Sequence, residues 1–245
     1  MKVLQLGRRA KLRVGRNALS RLLAQVGSRL ISLILVGVLT RYTGSTGLGR
    51  YIVVTTALAL AAAVTDLGLG TLLIRDTAAA PSQDAQRELL GQLLPVRMAL
   101  AALGAALLLG LYALSLPRGL LNRQAARSGA AAPDGIALLA AAALLPRAGF
   151  EFLSAFVNGR RRFDVSSSLG VAVRILGLAG AMLAVTAGYG VAGAVGSLAA
   201  ADLAGIVIYG AILQAWDTLP RLSLPPSHWR QIIATAYPFG LAAII

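Results

Sequence analysis

Seven charged side chains lie inside long apolar stretches of this chain, where contact between charge and lipid is costly. An ionised group at the centre of a bilayer costs about 2.5–3.5 kcal/mol on insertion scales, so these groups are expected to face a bundle interior or a wet cavity. A chain that carries so many of them is expected to move something polar or charged. The seven are Arg29, Asp66, Arg97, Arg147, Glu151, Arg174 and Asp202.

Six apolar stretches must position these charges, and each has the roughly 20 residues that a helix needs to cross a bilayer. The chain of 245 residues is 57% hydrophobic and only 13% charged, whereas about 25% charge is typical of soluble domains. The sequence therefore predicts an all-α integral membrane protein, a six-helix transmembrane bundle followed by the start of a seventh helix at Trp229–Ile245. The six predicted spans are Leu19–Leu39, Tyr51–Ile74, Leu90–Leu116, Ile136–Val157, Leu169–Ala187 and Val191–Leu213.

The predicted organisation has four parts along the chain. A cytoplasmic basic segment covers residues 1–16, the six-helix lobe 17–216, a Pro-rich cytoplasmic linker 217–228 and the incomplete seventh helix 229–245. Glycine, proline and charged residues mark the expected connections between spans. These connections are Thr43–Gly49, a solvated loop Asp76–Glu88, the outside segment Pro117–Asp134 and a tight turn at Gly188–Gly190.

The cations behind the net charge of +14 are distributed unevenly between the two sides of the predicted membrane spans. Fifteen cations lie on the same side of the membrane as the N-terminus, if Arg97 just inside the third span is counted with them, and five lie on the other side. The remaining three, Arg29, Arg147 and Arg174, lie inside spans. Because cytoplasmic segments carry the excess of Lys and Arg, the N-terminus is predicted to be cytoplasmic. The basic tail is then an anchor at an anionic leaflet, so membrane lipids are expected partners and nucleic acid is not.

The composition also restricts the chemistry. The chain has no cysteine and a single histidine, His228, which excludes disulfides, thiolate metal sites and sites built from several histidines. None of the P-loop, GxSxG and HExxH signatures is present. We expect neither a cofactor nor an enzymatic activity.

Two polar stripes carry candidate residues for a substrate path. On the first span, Arg29 lies four residues beyond Gln25 in a stripe of polar side chains, and a lumen-facing position is favoured over structural pairing. On the fourth span, Arg147 and Glu151 form an i, i+4 pair. This pair is either a permanent internal salt bridge or one that opens when an anionic substrate competes for Arg147, and both interpretations stay open.

The remaining candidates lie on the second, fifth and sixth spans. Asp66, in the segment TDLGLG, is expected to pair with Arg75 or with the region of Arg29, and Asp66 and Asp202 are candidates for coupling to protonation. Arg174 shares a helix face with small residues, so a ligand or a neighbouring backbone can approach its guanidinium group closely. A stripe of small residues on the sixth span predicts close helix packing; it consists of Gly193, Ser197, Ala201 and Gly205.

The sequence resembles one family of membrane proteins over most of its length. Asn17–Tyr51 (NALSRLLAQVGSRLISLILVGVLTRYTGSTGLGRY) and Thr65–Asp76 (TDLGLGTLLIRD) resemble the opening of bacterial polysaccharide (oligosaccharide-lipid) flippases. Phe150–Asp164 (FEFLSAFVNGRRRFD) resembles the stretch after the fourth span in that family, and Arg174–Ala199 is similar to its fifth and sixth spans. These flippases belong to the multidrug/oligosaccharidyl-lipid/polysaccharide exporter superfamily.

The resemblance implies two six-helix lobes around a cavity that opens alternately to each side of the bacterial cytoplasmic membrane. It implies transport of undecaprenyl-diphosphate-linked sugars to the outer leaflet, with Arg29, Arg147 and Arg174 meeting the diphosphate. The expected partners are a lipid-linked oligosaccharide and a second lobe, most of which this chain lacks.

Two rival functions remain open. The first is a cation-coupled multidrug exporter of the same superfamily, which would depend on Asp66, Glu151 and Asp202. The second is a non-transporting membrane subunit of polysaccharide synthesis, which the small-residue stripe fits and the polar stripes do not.

Overall fold

The computed structural model describes the backbone of residues 2–115 and 133–220, and within them the side chains of most residues from 27 onward. These residues form six α-helices and no strand: α1 (Lys2–Asp66), α2 (Leu69–Ala79), α3 (Gln83–Ser115), α4 (Pro133–Gly159), α5 (Phe163–Thr186) and α6 (Gly190–Ala215). Five segments are long and apolar enough to cross a membrane, which confirms the predicted all-α membrane class. They are Ser32–Asp66, Gln83–Leu111, Gly135–Gly159, Phe163–Thr186 and Gly190–Ala215.

The first predicted span and most of the second lie in α1, where Gly44 separates them. Its φ of 69° and ψ of −175° interrupt the helix in a region that glycine reaches without steric cost. The break falls inside the predicted connection Thr43–Gly49, but the rest of that connection is helical. One glycine is enough to redirect the chain, so the flanking residues keep their helical backbone hydrogen bonds.

The predicted second span, Tyr51–Ile74, is wrong as a single helix. Leu67 and Gly68 have φ values of 46° and 79°, which end α1 and start α2. The Gly68 carbonyl accepts a hydrogen bond of 3.0 Å from the Leu72 amide and begins the new helix. Because Asp66 is the only charged residue in Tyr51–Ile74, the mean hydropathy of this segment gives no sign of the break.

The predicted solvated loop Asp76–Glu88 is also wrong, since only residues 80–82 separate α2 from α3. The Ser82 hydroxyl accepts a hydrogen bond of 3.2 Å from the Ala85 amide, as a helix-capping side chain does. Asp84 in the first turn adds a favourable interaction with the helix dipole. The charged residues of this segment are therefore mostly helical.

The later spans follow the prediction more closely. The fourth and sixth predicted spans lie within α4 and α6, and Gly188 and Gly190 turn the chain between α5 and α6 with φ values of 91° and 56°. The fifth span begins earlier than predicted, at Phe163. The predictions for residues 117–132 and 221–245, including the seventh helix, lie outside the described residues.

The small residues predicted to form a packing stripe on α6 do pack against neighbouring helices. Ala201 lies against Gly177 of α5, where an added Cβ would be 3.3 Å from the Ala201 Cβ. At Gly205, an added Cβ would lie 2.6 Å from the Phe150 ring and 2.9 Å from Val173. Close approach of α4, α5 and α6 therefore depends on these small side chains.

Two surfaces of the bundle differ in polarity. Large apolar side chains are exposed on the long helices, as expected for contact with lipid; they include Leu33, Val53, Leu107, Leu183 and Val207. One end of the bundle carries cations and is called here the basic end. At this end α3 and α5 begin and α4 and α6 finish, joined by the ion pair Arg87–Asp217 (2.8 Å) and by the hydrogen bond from Arg160 to Thr218 (2.7 Å).

The packing at Gly205 gives a testable prediction for stability. We expect Gly205→Ala to lower the free energy of unfolding by about 1–3 kcal/mol, because the new methyl group must displace the Phe150 ring. Gly210→Ala on the same helix is the matched control, since nothing lies within 4 Å of a Cβ there. The measurement is unfolding of the purified protein in detergent, and equal effects of the two substitutions would contradict the packing.

Candidate functional site

Six of the predicted intramembrane charges lie at a similar depth in the bundle and are called here the charge layer. Counted from the helix ends at the basic end, five of them lie about 12–21 Å into α3–α6 at 1.5 Å per residue, near the middle of a hydrocarbon core of about 30 Å. Asp66 joins them through its contact with Arg97. The layer consists of Asp66, Arg97, Arg147, Glu151, Arg174 and Asp202.

Arg97 is the most buried member of the layer, with none of its side chain exposed. Its Nε lies 3.6 Å from Oδ1 of Asp66, and its Nη1 donates a hydrogen bond of 3.2 Å to Oγ1 of Thr65. The predicted partners of Asp66 were therefore wrong. Arg75 instead pairs with Asp76 at 2.7 Å, because Arg75 lies beyond the helix break and away from Asp66.

The helix break positions this pair. Asp66 is the last residue of α1, and its carboxylate lies beside Gly70 of α2, at 3.4 Å from the position of an added Cβ. On α3, Pro95 lies inside the helix two residues before Arg97. A helix end and a proline inside a helix each leave backbone groups without their regular helical hydrogen bonds.

Arg147 and Glu151 form the predicted i, i+4 salt bridge on α4. The Arg147 Nε lies 3.0 Å from Glu151 Oε1, and the two side chains are 38% and 44% exposed. The two opposite charges thus compensate each other within one helix, and both side chains stay partly exposed. Arg147 also interacts electrostatically with Tyr51 of α1, and Glu151 interacts with Arg97 of α3. The pair on α4 is therefore electrostatically coupled to side chains on two other helices.

Asp202 and Arg174 complete the layer on α6 and α5. Asp202 is half-buried, and its electrostatic neighbours are Arg147, Glu151 and Arg174. No ion pair within 4.0 Å joins it to another residue of the described ranges. Arg174 is exposed on α5, beside the buried face that contains Val173 and Gly177.

Arg29 stands apart from the layer in these contacts. Its side chain is exposed, and no ion pair links it to another described residue. Further along α1, Leu35 and Leu39 pack in one cluster with Ala181 and Val185 of α5. The part of α1 that contains Leu35 and Leu39 is therefore a neighbour of the helix that carries Arg174.

Sequence reasoning left Arg97 out of the candidate site and counted it among cations near the membrane surface. The available signal was its position, seven residues inside the predicted third span, which is deep for a side chain that reaches the interface. Thr65 and Tyr51 gave no such signal because hydroxyl groups are common in membrane helices. Their roles depend on contacts between distant parts of the chain.

The layer combines three cations with three carboxylates, so it can hold a ligand that carries charge. In the described ranges, no group of three His, Cys, Asp or Glu side chains is placed to hold a metal ion. The exposed cations, Arg147 and Arg174, have the planar guanidinium donors that match carboxylate and phosphate oxygens. Arg97 is sealed and acts within the fold.

A comparison with models of known protein families shows to which family this chain belongs. The model of a family described as polysaccharide biosynthesis protein matches residues 14–245. The chain belongs to the polysaccharide biosynthesis protein family. The search of curated proteins and the search of solved structures each returned no match. With its candidate spans, the chain is a multi-helix membrane protein of the polysaccharide biosynthesis family.

The contact between Asp66 and Arg97 predicts an asymmetry between two substitutions. Asp66→Asn leaves a buried guanidinium without its carboxylate, so we expect the free energy of unfolding to fall by about 2 kcal/mol. This is less than the roughly 3–5 kcal/mol of a fully buried pair, because the Asp66 side chain is 35% exposed. Arg97→Met keeps an apolar side chain in the space and leaves a carboxylate that water can reach, so the loss should be smaller.

Unfolding of the purified variants in detergent measures both losses, and the double variant Asp66→Asn/Arg97→Met is the control. The double variant should recover part of the loss caused by Asp66→Asn, since neither partner is then left alone. A larger loss for Arg97→Met than for Asp66→Asn would contradict the assignment of Arg97 as the sealed member of the pair.

Proposed function

We propose that the protein acts in a flippase that carries a lipid-linked oligosaccharide across the bacterial cytoplasmic membrane by alternating access. The charge layer at mid-depth is the single observation that carries this proposal. A lipid-linked oligosaccharide has an anionic phosphate group that must pass the hydrocarbon core, and cations at the middle of the bundle lower the free energy of that passage. Membership in the polysaccharide biosynthesis family supports the choice of substrate class.

Arg147 is the residue best suited to meet the phosphate. Its bridge to Glu151 is more than a third exposed on both sides, and ion pairs that reach solvent stabilise by only about 0–1 kcal/mol. A diphosphate offers more oxygen acceptors than one carboxylate, so it competes for the guanidinium at low cost. This supports the interpretation in which the bridge opens for the substrate.

Arg174 on α5 and Arg29 on α1 would provide two further cations for the phosphate of the substrate. Leu35 of α1 packs in one cluster with Leu178 and Ala181 of α5. Arg29 lies six residues before Leu35, and Arg174 lies four residues before Leu178. If both helices leave the same side of the membrane, as the predicted topology requires, the two guanidinium groups lie within about 3 Å of the same depth.

The proposed orientation follows from charge. The basic end holds Arg160, Arg161 and Arg162 and faces the cytoplasm in this proposal, because cytoplasmic segments carry the excess of Lys and Arg. The family resemblance adds that residues 17–216 form the first of two lobes. The cavity between the lobes would then be bordered by the partly exposed members of the charge layer.

Substitution of the exposed arginines tests the proposal. In the complete transporter, Arg147→Ala and Arg174→Ala are each expected to lower delivery of surface polysaccharide by at least about tenfold, because each removes a charge-assisted contact with phosphate. Arg41→Ala, at an exposed position of α1 outside the charge layer, is the matched control. Membrane insertion is checked by the amount of protein in the membrane fraction. Normal surface polysaccharide in both variants would favour a non-transporting subunit of polysaccharide synthesis.

One observation favours the cation-coupled exporter as a second candidate. Asp202 is half-buried and has no ion pair among the described residues, so its carboxylate is available to take up a proton or a cation.

Dye efflux from energised vesicles separates the two candidates. For the flippase we expect Asp202→Asn to leave dye retention unchanged, with Glu88→Gln near the start of α3 as the control for loss of one carboxylate. Proton-driven efflux that disappears only in Asp202→Asn would support the exporter and contradict the flippase.

A further inference from the structure

A second polar site lies at the basic end of the bundle, outside the charge layer. It is a cavity of about 300 Å³ lined by Gln83, Arg160, Arg162 and Trp216. Gln83 is the first residue of α3, Arg160 follows α4, Arg162 precedes α5 and Trp216 follows α6. Because all four lie at the ends of membrane spans, the cavity opens where the hydrocarbon core meets the lipid headgroups.

The two arginines of this cavity are held in place by Trp216. The guanidinium carbon of Arg160 lies 5.1 Å from the centre of the Trp216 ring system, and that of Arg162 lies 5.5 Å away. Contacts of this kind between a cation and an aromatic face are favourable. Arg160 also donates a hydrogen bond of 2.7 Å to Thr218, which in turn donates one of 2.9 Å to the Trp216 carbonyl. The cationic groups are therefore ordered before any ligand arrives.

Among the described residues, the cavity is lined by two cations and by no carboxylate. Asp217, which is adjacent in sequence to Trp216, is paired with Arg87 at 2.8 Å, and Asp164 lines a separate cavity. In the described part of the chain, no ion pair involves Arg160 or Arg162. Burial and the nearby positive charge of Arg162 lower the pKa of Arg160. An anion between the two guanidinium groups would relieve this repulsion.

We propose that this cavity binds the phosphate of an anionic phospholipid headgroup. Two guanidinium groups supply paired donors for phosphate oxygens, and the Gln83 amide supplies a further donor or acceptor for the rest of the headgroup. A lipid is favoured over a soluble anion because the cavity lies at the ends of the spans, within reach of the surrounding leaflet. The bound lipid would join the ends of α3, α4, α5 and α6. This site does not depend on the transport function proposed above.

Three consecutive arginines provide a matched test. Arg160 and Arg162 line the cavity, whereas Arg161 between them does not, although Arg161 and Arg162 are both exposed. The purified protein is exchanged into equal amounts of phosphatidylglycerol and phosphatidylcholine, and the retained lipids are counted by native mass spectrometry. We expect the unmodified protein to retain phosphatidylglycerol preferentially. Arg160→Gln and Arg162→Gln should each lower this preference about fivefold, the effect of one cation near an anionic lipid, and Arg161→Gln should leave it unchanged.

The outcomes distinguish a specific lipid site in this cavity from a general attraction of anionic lipids to the basic end. An equal loss in all three variants, or no preference in the unmodified protein, would overturn the proposal. Because Arg160 also contacts Thr218, its variant is checked by thermal unfolding, and Arg162→Gln provides a second variant that keeps this hydrogen bond. Arg162→Lys keeps the charge but loses the planar donors, so it should show an intermediate preference.

A competition experiment separates a lipid from a soluble source of phosphate. Inorganic phosphate and glycerol 3-phosphate are added at millimolar concentration to the protein loaded with phosphatidylglycerol. We expect the lipid to remain bound, because its acyl chains contribute to its retention at the membrane interface. Displacement of the lipid by inorganic phosphate would assign the cavity to a soluble anion and overturn the lipid proposal.

Discussion

The cost of placing charge in hydrocarbon is the constraint that organises this protein. The charge layer satisfies it in two ways. Arg97 is sealed inside the bundle, where it is paired with the Asp66 carboxylate and donates a hydrogen bond to Thr65. Arg147 and Glu151 neutralise each other on one helix and stay partly exposed. The first arrangement places a charged pair inside the fold, whereas the second leaves charged groups accessible from outside the bundle.

Small residues make this arrangement possible. Ala201 and Gly205 allow α6 to lie close to Gly177 of α5 and to the Phe150 ring of α4. Asp202 follows Ala201 directly, so the same packing sets its depth relative to its charged neighbours on α4 and α5. The small residues of this stripe carry no charge, yet their packing sets how close the charged side chains of α4, α5 and α6 lie to one another. Packing and electrostatics in this bundle therefore depend on the same few positions.

The features that were predictable from the sequence depend on neighbours along the chain. Hydropathy marks most of the spans, and the pair Arg147–Glu151 follows from helical spacing. The pair Asp66–Arg97 could not be predicted in this way, because its partners are 31 positions apart and meet only through packing. The break at Leu67 lies in a predicted span whose only charged residue is Asp66, so hydropathy did not reveal it. The segment 76–88 was misjudged because charge indicates contact with solvent and does not exclude a helix.

The two ion pairs of the layer differ in what holds them together. Arg147 and Glu151 lie on the same helix and travel with it as a rigid unit, so tilting α4 leaves their separation unchanged. Arg97 and Asp66 belong to different helices, and separating α3 from the end of α1 strips a buried cation of its counter-ion. Separation of α3 from the end of α1 would therefore carry an electrostatic cost that a movement of α4 as a rigid helix does not, because of these two pairs only Asp66–Arg97 joins two different helices.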